Sequence, residues 1–304
     1  SVDSDLRREV ESLLESYEHT SGALDAPPAR LGSLLPPPES LEGERIGEYL
    51  IIRALRRSPT GTVYLASRPG AEADVKPLGE GLDTLAHRQQ FLNERQVLAG
   101  LRHRQVARLL DGGASPSGRP YMVLEHVEGI PIDRYSNERR LSIAQRVELV
   151  RQVSNVVEYL HENHVEHRDL APDNILVTEQ GLPKLVEFSS ARMARGGVEP
   201  GGDVQMLGRL LYLLLCGSPP DMKPVKPSDA VEAIEDPAVR AFLRGRLRGD
   251  LDALVMAALE PRYASAWELG EDLRRYQEDL PVSVRADSPI YRAGKSIKRL
   301  WRRL

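Results

Sequence analysis

The chain has a single cysteine, Cys216, in 304 residues, which excludes a disulfide scaffold and any cysteine-rich zinc site and fits a reducing, cytoplasmic compartment. It has no run of about 18 uncharged apolar residues, so no transmembrane helix is expected, and its charged first residues do not read as a signal peptide. Strong net charge is also missing. Forty-one Lys and Arg against 45 Asp and Glu leave −4, which argues against a nucleic-acid binder. The balance conceals an asymmetry: residues 285–304 hold Arg285, Arg292, Lys295, Lys298, Arg299, Arg302 and Arg303 against Asp287 alone, so the rest of the chain is acidic. What is present is apolar content of 41%, enough for a real core, on a length that fits two domains or one two-lobed unit with appendages.

Along the chain, Leu6, Val10, Leu13, Leu14 and Tyr17 share a helical face, so an amphipathic helix is expected over 1–21. Pro27, Pro28, Pro36, Pro37 and Pro38 then mark a stiff linker over 22–42. Strands are expected at Tyr49–Ile52, at Val63–Leu65 and in a run ending Val75-Lys76. A helix over 84–101 would turn Leu85, Phe91, Leu98 and Leu101 to a core. Strands follow at 106–110 and 121–127, separated by Asp111-Gly112-Gly113 and Ser117-Gly118.

After Pro131 helices dominate. Ser142 and Gln145 form a capping box ahead of the stripe Ile143, Val147, Val150, Val153, Val157 and Leu160. Short strands are expected at 175–178 and 184–188, and 203–216 is apolar nearly all round, so that helix should be buried. Asp236-Pro237 and Ser265–Glu268 open further helices. Cys216 reads as a small core hydrophobe, and Trp267, Leu273, Tyr276 and Leu280 as core contacts. A β-rich stretch followed by an α-rich one is an α+β architecture in two lobes, a small one over about 45–127 and a large helical one over about 128–284, within a domain at 43–284.

The segment with the sharpest chemistry is His167-Arg168-Asp169-Leu170-Ala171-Pro172-Asp173-Asn174, between a long helix and a short strand. It fits H-R-D-L-x-x-x-N, in which an aspartate on a rigid turn accepts a hydroxyl proton and an amide five residues on holds a metal beside it. His161 and His164 precede His167 at every third residue without converging acidic or cysteine partners, so no metal cluster is expected of them. Upstream, Lys76 on a strand and Glu94 on the next helix stand in the order of a phosphate-orienting ion pair.

With these, Leu109–Gly113, Tyr121–Gly129, Asp203–Gly208 and Asp272–Tyr276 make 45–285 resemble the bacterial receptor-type Ser/Thr protein kinases. The resemblance implies a bilobal kinase fold, ATP with Mg²⁺, and phosphoryl transfer to Ser or Thr. It assigns Asp169 as base, Lys76 and Glu94 to the phosphates, Val63 and the hinge Glu125 to Val127 to the nucleotide, and Asn174 and Glu187 to the metal. It likens 285–304 to that family's juxtamembrane segment.

The departures from the family pattern are concentrated in the phosphate and metal machinery. Where the glycine-rich loop should read G-x-G-x-x-G-x-V stands Arg56-Arg57-Ser58-Pro59-Thr60-Gly61-Thr62-Val63, so Cβ atoms and a proline obstruct the amides, with Arg56 or Arg57 offering charge instead. Glu187-Phe188-Ser189 replaces D-F-G, which moves a carboxylate by one methylene where Mg²⁺ demands near-ideal octahedral oxygens. Ala171 stands where a lysine is expected two residues after the aspartate. Only 15 residues separate Glu187 from Asp203, with no A-P-E and no hydroxyl side chain after Ser190, and Gly196–Gly202 reads as a flexible bridge.

The resulting expectation is a pseudokinase, a signalling or scaffolding domain with weak or no ATP phosphotransfer that acts through a partner signalling protein. Two other readings stay open: an active Ser/Thr kinase using Glu187 as metal ligand, and a nucleotide-independent adaptor. For the last, Ile290, Ala293, Ile297, Trp301 and Leu304 share a face beside the basic residues, so 285–304 is expected to meet an anionic membrane surface at its inner face.

Overall fold

The computed structural model describes residues 41–295 apart from 83, 116, 195–196, 232–235, 261 and 286–290. The expected helix at 1–21, nearly all of the linker at 22–42 and most of the basic tail at 285–304 therefore lie outside the described residues.

The small lobe is one antiparallel sheet of β1 (Arg45–Ile46), β2 (Tyr49–Ser58), β3 (Gly61–Arg68), β4 (Ala71–Pro77), β5 (Leu109–Ala114) and β6 (Pro120–Glu125), in the order β1-β2-β3-β4-β6-β5. Alternation along each strand divides its residues between two faces. Tyr49, Ile51, Tyr64, Ala66, Ala73, Val75, Tyr121 and Val123 close one apolar layer. The intervening residues of β4 and β6 turn the other way: Met122 and Leu124 join Phe91 and Leu98 of α1 (Leu85–Gly100) in the main core, and Asp74 and Lys76 share their side. Helix α1 starts at Thr84, whose side chain accepts from the His87 N–H, and buries Phe91, Glu94, Val97 and Leu98. Leu85 does not face the core as expected; it sits on the first turn, 84% exposed.

The glycine signal at 111–113 does not separate strands. β5 begins at Leu109 and runs through Asp111-Gly112-Gly113, while Val106 makes only an isolated bridge to Leu185. The reason is close packing, which glycine inside a strand permits. A Cβ on Gly113 would lie 2.9 Å from the Tyr121 hydroxyl, and one on Gly112 would lie 3.0 Å from the Tyr121 carbonyl oxygen. β6 stops at Glu125, leaving His126 and Val127 outside the strand.

In the large lobe β7 (Ile130–Pro131) leads into α2 (Ile132–Glu138) and α3 (Ile143–Glu162), whose capping box at Ser142 and Gln145 forms as expected. Then come β8 (Val165–Glu166), the turn Pro172–Asn174, β9 (Ile175–Val177), β10 (Pro183–Leu185) and β11 (Arg192–Met193). Further helices are α4 (Gly201–Cys216), α5 (Pro227–Ala230), α6 (Pro237–Leu247), α7 (Asp250–Leu259) and α8 (Ala266–Gln277). Gly201 and Gly202, read as bridge, form the first turn of α4. On α8 the buried residues are Ala266, Leu269, Gly270, Asp272 and Leu273; Trp267, six residues before Leu273 and so on another face, is 58% exposed rather than core. Among the described residues no helix is long and apolar enough to cross a membrane.

After α8 the chain is turned back by Asp272, whose carboxylate accepts from the Ser283 N–H and hydroxyl. Of the basic tail, Arg285 and Lys295 both reach Asp250, each at 2.6 Å, so those two cations are engaged by the large lobe.

Helix α4 crosses α7 where neither can carry more bulk. A Cβ on Gly208 would sit 2.8 Å from the Ala258 Cβ and 3.0 Å from the Leu259 nitrogen. Alanine raises helix propensity by about 1 kcal/mol, but overpacking a closed contact costs about 1–3 kcal/mol, so the contact wins. Gly208→Ala is expected to lower the melting temperature by several degrees in a thermal melt; an unchanged or higher value would mean the crossing can relax.

Candidate active site

The loop His167–Asn174 is held from below by α4. Asp203, in the first turn of that helix, accepts from the backbone N–H of His167 at 2.9 Å and of Arg168 at 2.7 Å, and pairs with His161 Nε2 at 2.9 Å. Burial pushes the Asp203 carboxyl up, but the His161 bond and the two backbone N–H donors outweigh it and hold it below the usual range. Two of the three spaced histidines thus have structural roles: His161 braces Asp203, and His167 packs its ring on Phe188 with centroids 4.9 Å apart. Burial holds His167 below its ordinary value, against the opposing pull of Asp203, Asp169 and Glu187. Its Nδ1 accepts from the Asp169 N–H at 3.3 Å, and Arg168 adopts a left-handed φ of 64°. Asn174 donates from Nδ2 to the Asp169 carbonyl at 3.0 Å, so the expected base and its companion amide are brought together.

The second cluster lies under the sheet. Lys76, fully buried, donates from Nζ to both oxygens of Glu94 at 2.8 Å, so the pair expected from sequence order is formed. The same Nζ bonds Glu187 Oε1 at 2.8 Å, and the Ser189 N–H donates to that oxygen at 3.1 Å. One cation therefore holds two carboxylates in a dry site. Burial pushes Glu94 up to about 7, Lys76 opposing and Glu187 reinforcing. Burial also raises Glu187, but the charge and hydrogen bond of Lys76 outweigh it and keep it below the ordinary carboxylate range. The two clusters meet through the backbone, since Val186 donates its N–H to the Asn174 carbonyl at 3.1 Å.

The segment in place of the glycine-rich loop is a tight hairpin in which Ser58 pairs with Gly61. Thr60 is folded inward, fully buried, and donates from Oγ1 to Glu94 Oε2 at 3.1 Å. Gly61 is required there, because a Cβ would fall 2.2 Å from the Pro77 carbonyl oxygen. Arg56 does not stand free to offer charge as expected; its guanidinium bonds Asp74 and the Val186 carbonyl. Of the expected hinge, the Glu125 carboxylate bonds Lys184 Nζ, Val127 packs with Ala107 and Val186, and Val63 is fully buried. After Glu187 the short segment is laid on β8. Glu166 accepts from Arg192 Nε at 2.7 Å and from the Glu199 N–H at 3.0 Å.

Residues 58–213 match the family model for the protein kinase domain. The chain belongs to the protein kinase domain family. Among its relatives, the serine/threonine-protein kinase PknB of Mycobacterium tuberculosis is 30% identical over 227 residues, covering 63% of this chain and 36% of that protein. A probable serine/threonine-protein kinase, SCO3848 of Streptomyces coelicolor, is 26% identical over 286 residues, covering 82% of this chain and 42% of that protein. The chain thus spans well under half the length of these curated relatives. The crystal structure of the PknI kinase domain of Mycobacterium tuberculosis superposes with a TM-score of 0.59 at 22% identity, over 78% of this chain and 98% of that one, which supports the fold.

Kinase homologues use ATP and Mg²⁺ in general. The metal would be held by Asn174 and Glu187, yet the Glu187 carboxylate, 4% exposed, already accepts from Lys76 and Ser189. The phosphates would be cradled by loop amides, yet Thr60 points inward to Glu94. In this arrangement Glu187 Oε1 and the Thr60 hydroxyl are both committed to the Lys76–Glu94 cluster rather than to a nucleotide–magnesium pair. One departure was missed in the sequence although its signal was there: the lysine motif V-A-I-K of protein kinases reads Ala73-Asp74-Val75-Lys76, with a carboxylate in the alanine position. Asp203 reads in the sequence only as part of a helix motif, since nothing local marks it as the anchor of a loop 35 residues away.

The folded value of Glu94, about 7, lies above its ordinary 4.5, so the native state keeps a proton that the unfolded chain releases between the two. Its contribution to stability is fully present below 4.5 and lost as pH rises through about 7. Glu94→Gln keeps the shape and removes the titration. The variant is expected to gain on the wild type as pH rises, by up to roughly 3 kcal/mol, in urea unfolding across that window. A difference that does not vary with pH would exclude the protonated Glu94.

Proposed function

We propose that this kinase domain is a pseudokinase: a signalling or scaffolding domain with little or no phosphotransfer, acting through a partner signalling protein. The observation that carries the reading is the Lys76–Glu187 contact at 2.8 Å, which engages in an internal ion pair the carboxylate that would have to face a metal. Phosphoryl transfer depends almost wholly on positioning and on metal and cation stabilisation of spreading charge. Here the carboxylate is turned inward, Ala171 supplies no cation, and the segment after Glu187 is short and tied to Glu166. A retained base without these parts has no substrate hydroxyl to act on.

The second reading, an active Ser/Thr kinase, is favoured by the intact Lys76–Glu94 pair and by the Asp169–Asn174 loop seated on Asp203. It also accords with relatives whose names are serine/threonine-protein kinases. It requires Glu187 to leave Lys76 for a metal. An adaptor at an anionic membrane surface would have to use tail cations other than Arg285 and Lys295, which Asp250 holds.

Radiolabelled phosphate transfer from ATP to the protein itself and to a generic basic protein, with Mg²⁺ or Mn²⁺, separates the two. The wild type is expected to incorporate no more label than Asp169→Asn. Transfer that this substitution abolishes would establish the active kinase.

A further inference from the structure

We propose that Arg56 is a built-in occupant of the nucleotide cleft, clasping the sheet, the hinge and the large lobe together so that the cleft admits a nucleotide only when this side chain leaves. The inference rests on the pseudokinase reading and adds to it a physical cause for nucleotide exclusion. Asp74 lies two residues before Lys76 on β4, so both side chains project to the same side of the sheet. Asp74 is 3% exposed, between Leu65 on β3 and Leu124 on β6. One of its oxygens meets His126 Nδ1 at 2.6 Å, in the hinge; the other accepts from Arg56 Nη1 at 3.2 Å. Arg56 then spans to the opposite lobe, where Nη2 donates to the Val186 carbonyl at 3.1 Å, one residue before Glu187. Three walls of the cleft are thereby joined by one charged network.

The clasp is hard to open for an electrostatic reason. Asp74 is a buried carboxylate, and Arg56 is its compensating cation. Removing Arg56 alone strands a charge out of water, whereas removing both leaves nothing to compensate. Arg56 Nε is itself buried without a hydrogen-bond partner among the described residues, so the side chain is held by its two terminal nitrogens. A ligand entering here must displace that guanidinium and still satisfy Asp74, which an adenine ring or a ribose does not do with charge.

The test is nucleotide binding rather than transfer, so that it can fail independently of the proposed function. ATP and adenosine, with and without Mg²⁺, are titrated against the full chain in thermal-shift and calorimetric measurements. A cleft closed in about 99% of molecules weakens apparent affinity about 100-fold. The wild type is therefore expected to show no shift at millimolar nucleotide, and Arg56→Ala/Asp74→Ala to bind at least about ten-fold more tightly than any wild-type signal. Arg56→Ala alone is expected to melt lower than this double variant. Should the double variant fail to fold by circular dichroism, Arg56→Gln/Asp74→Asn, which keeps the shape and removes both charges, takes its place with the same expectation. Wild type that binds as tightly as the neutral variants overturns the clasp and leaves the pseudokinase reading standing if no label is transferred. Folded variants that bind neither ligand overturn it as well.

Discussion

A single ammonium group with two carboxylates, all but excluded from water, organises the centre of this molecule. Lys76 cannot be left unpaired where it lies, because an isolated ammonium in such a place costs several kcal/mol even after relaxation. Glu94 supplies one partner from α1 and Glu187 another from the large lobe. Strand β4, helix α1 and the segment after β10 are thereby tied at one point. The charge does not balance, and the surplus is carried by Glu94, whose carboxyl burial pushes up to about 7. A shared cation also explains how a glutamate can take an aspartate's place without disrupting the fold: its longer arm finds Lys76.

Around that point the molecule divides into a part that keeps the arrangement of its family and a part that does not. The loop bearing Asp169 is seated by Asp203 with two backbone hydrogen bonds while His161 braces the same carboxylate, and Asn174 donates to the Asp169 carbonyl. The hairpin facing them is different in kind. Its threonine points inward, its arginine crosses the cleft, and its one glycine serves close packing against Pro77.

Much of this could be read along the chain. The Ser142 capping box, the stripe through α3 and the order of Lys76 before Glu94 lie within stretches of four to about twenty residues, and the capping box, the helix and the ion pair formed as read. Local reading failed where a distant residue decided the outcome. Gly112 and Gly113 have turn chemistry, but Tyr121 needs their missing side chains and keeps them in a strand. Trp267 and Leu85 are apolar, yet each sits on an exposed turn of helix. Gly201 and Gly202 looked like part of a flexible bridge, and α4 starts through them to bring Asp203 under the loop.

Membership in the kinase fold and the α+β division into two lobes were determined by the sequence alone, because motifs and periodicities are properties of neighbouring residues. What those residues do to one another was decided only in three dimensions. Arg56, Asp74, His126 and Val186 are separated by up to 130 positions, and a carboxylate's partner depends on which cation reaches it across the cleft. Whether Glu187 faces a metal or a lysine is a matter of reach and burial, and no spacing along the chain encodes it.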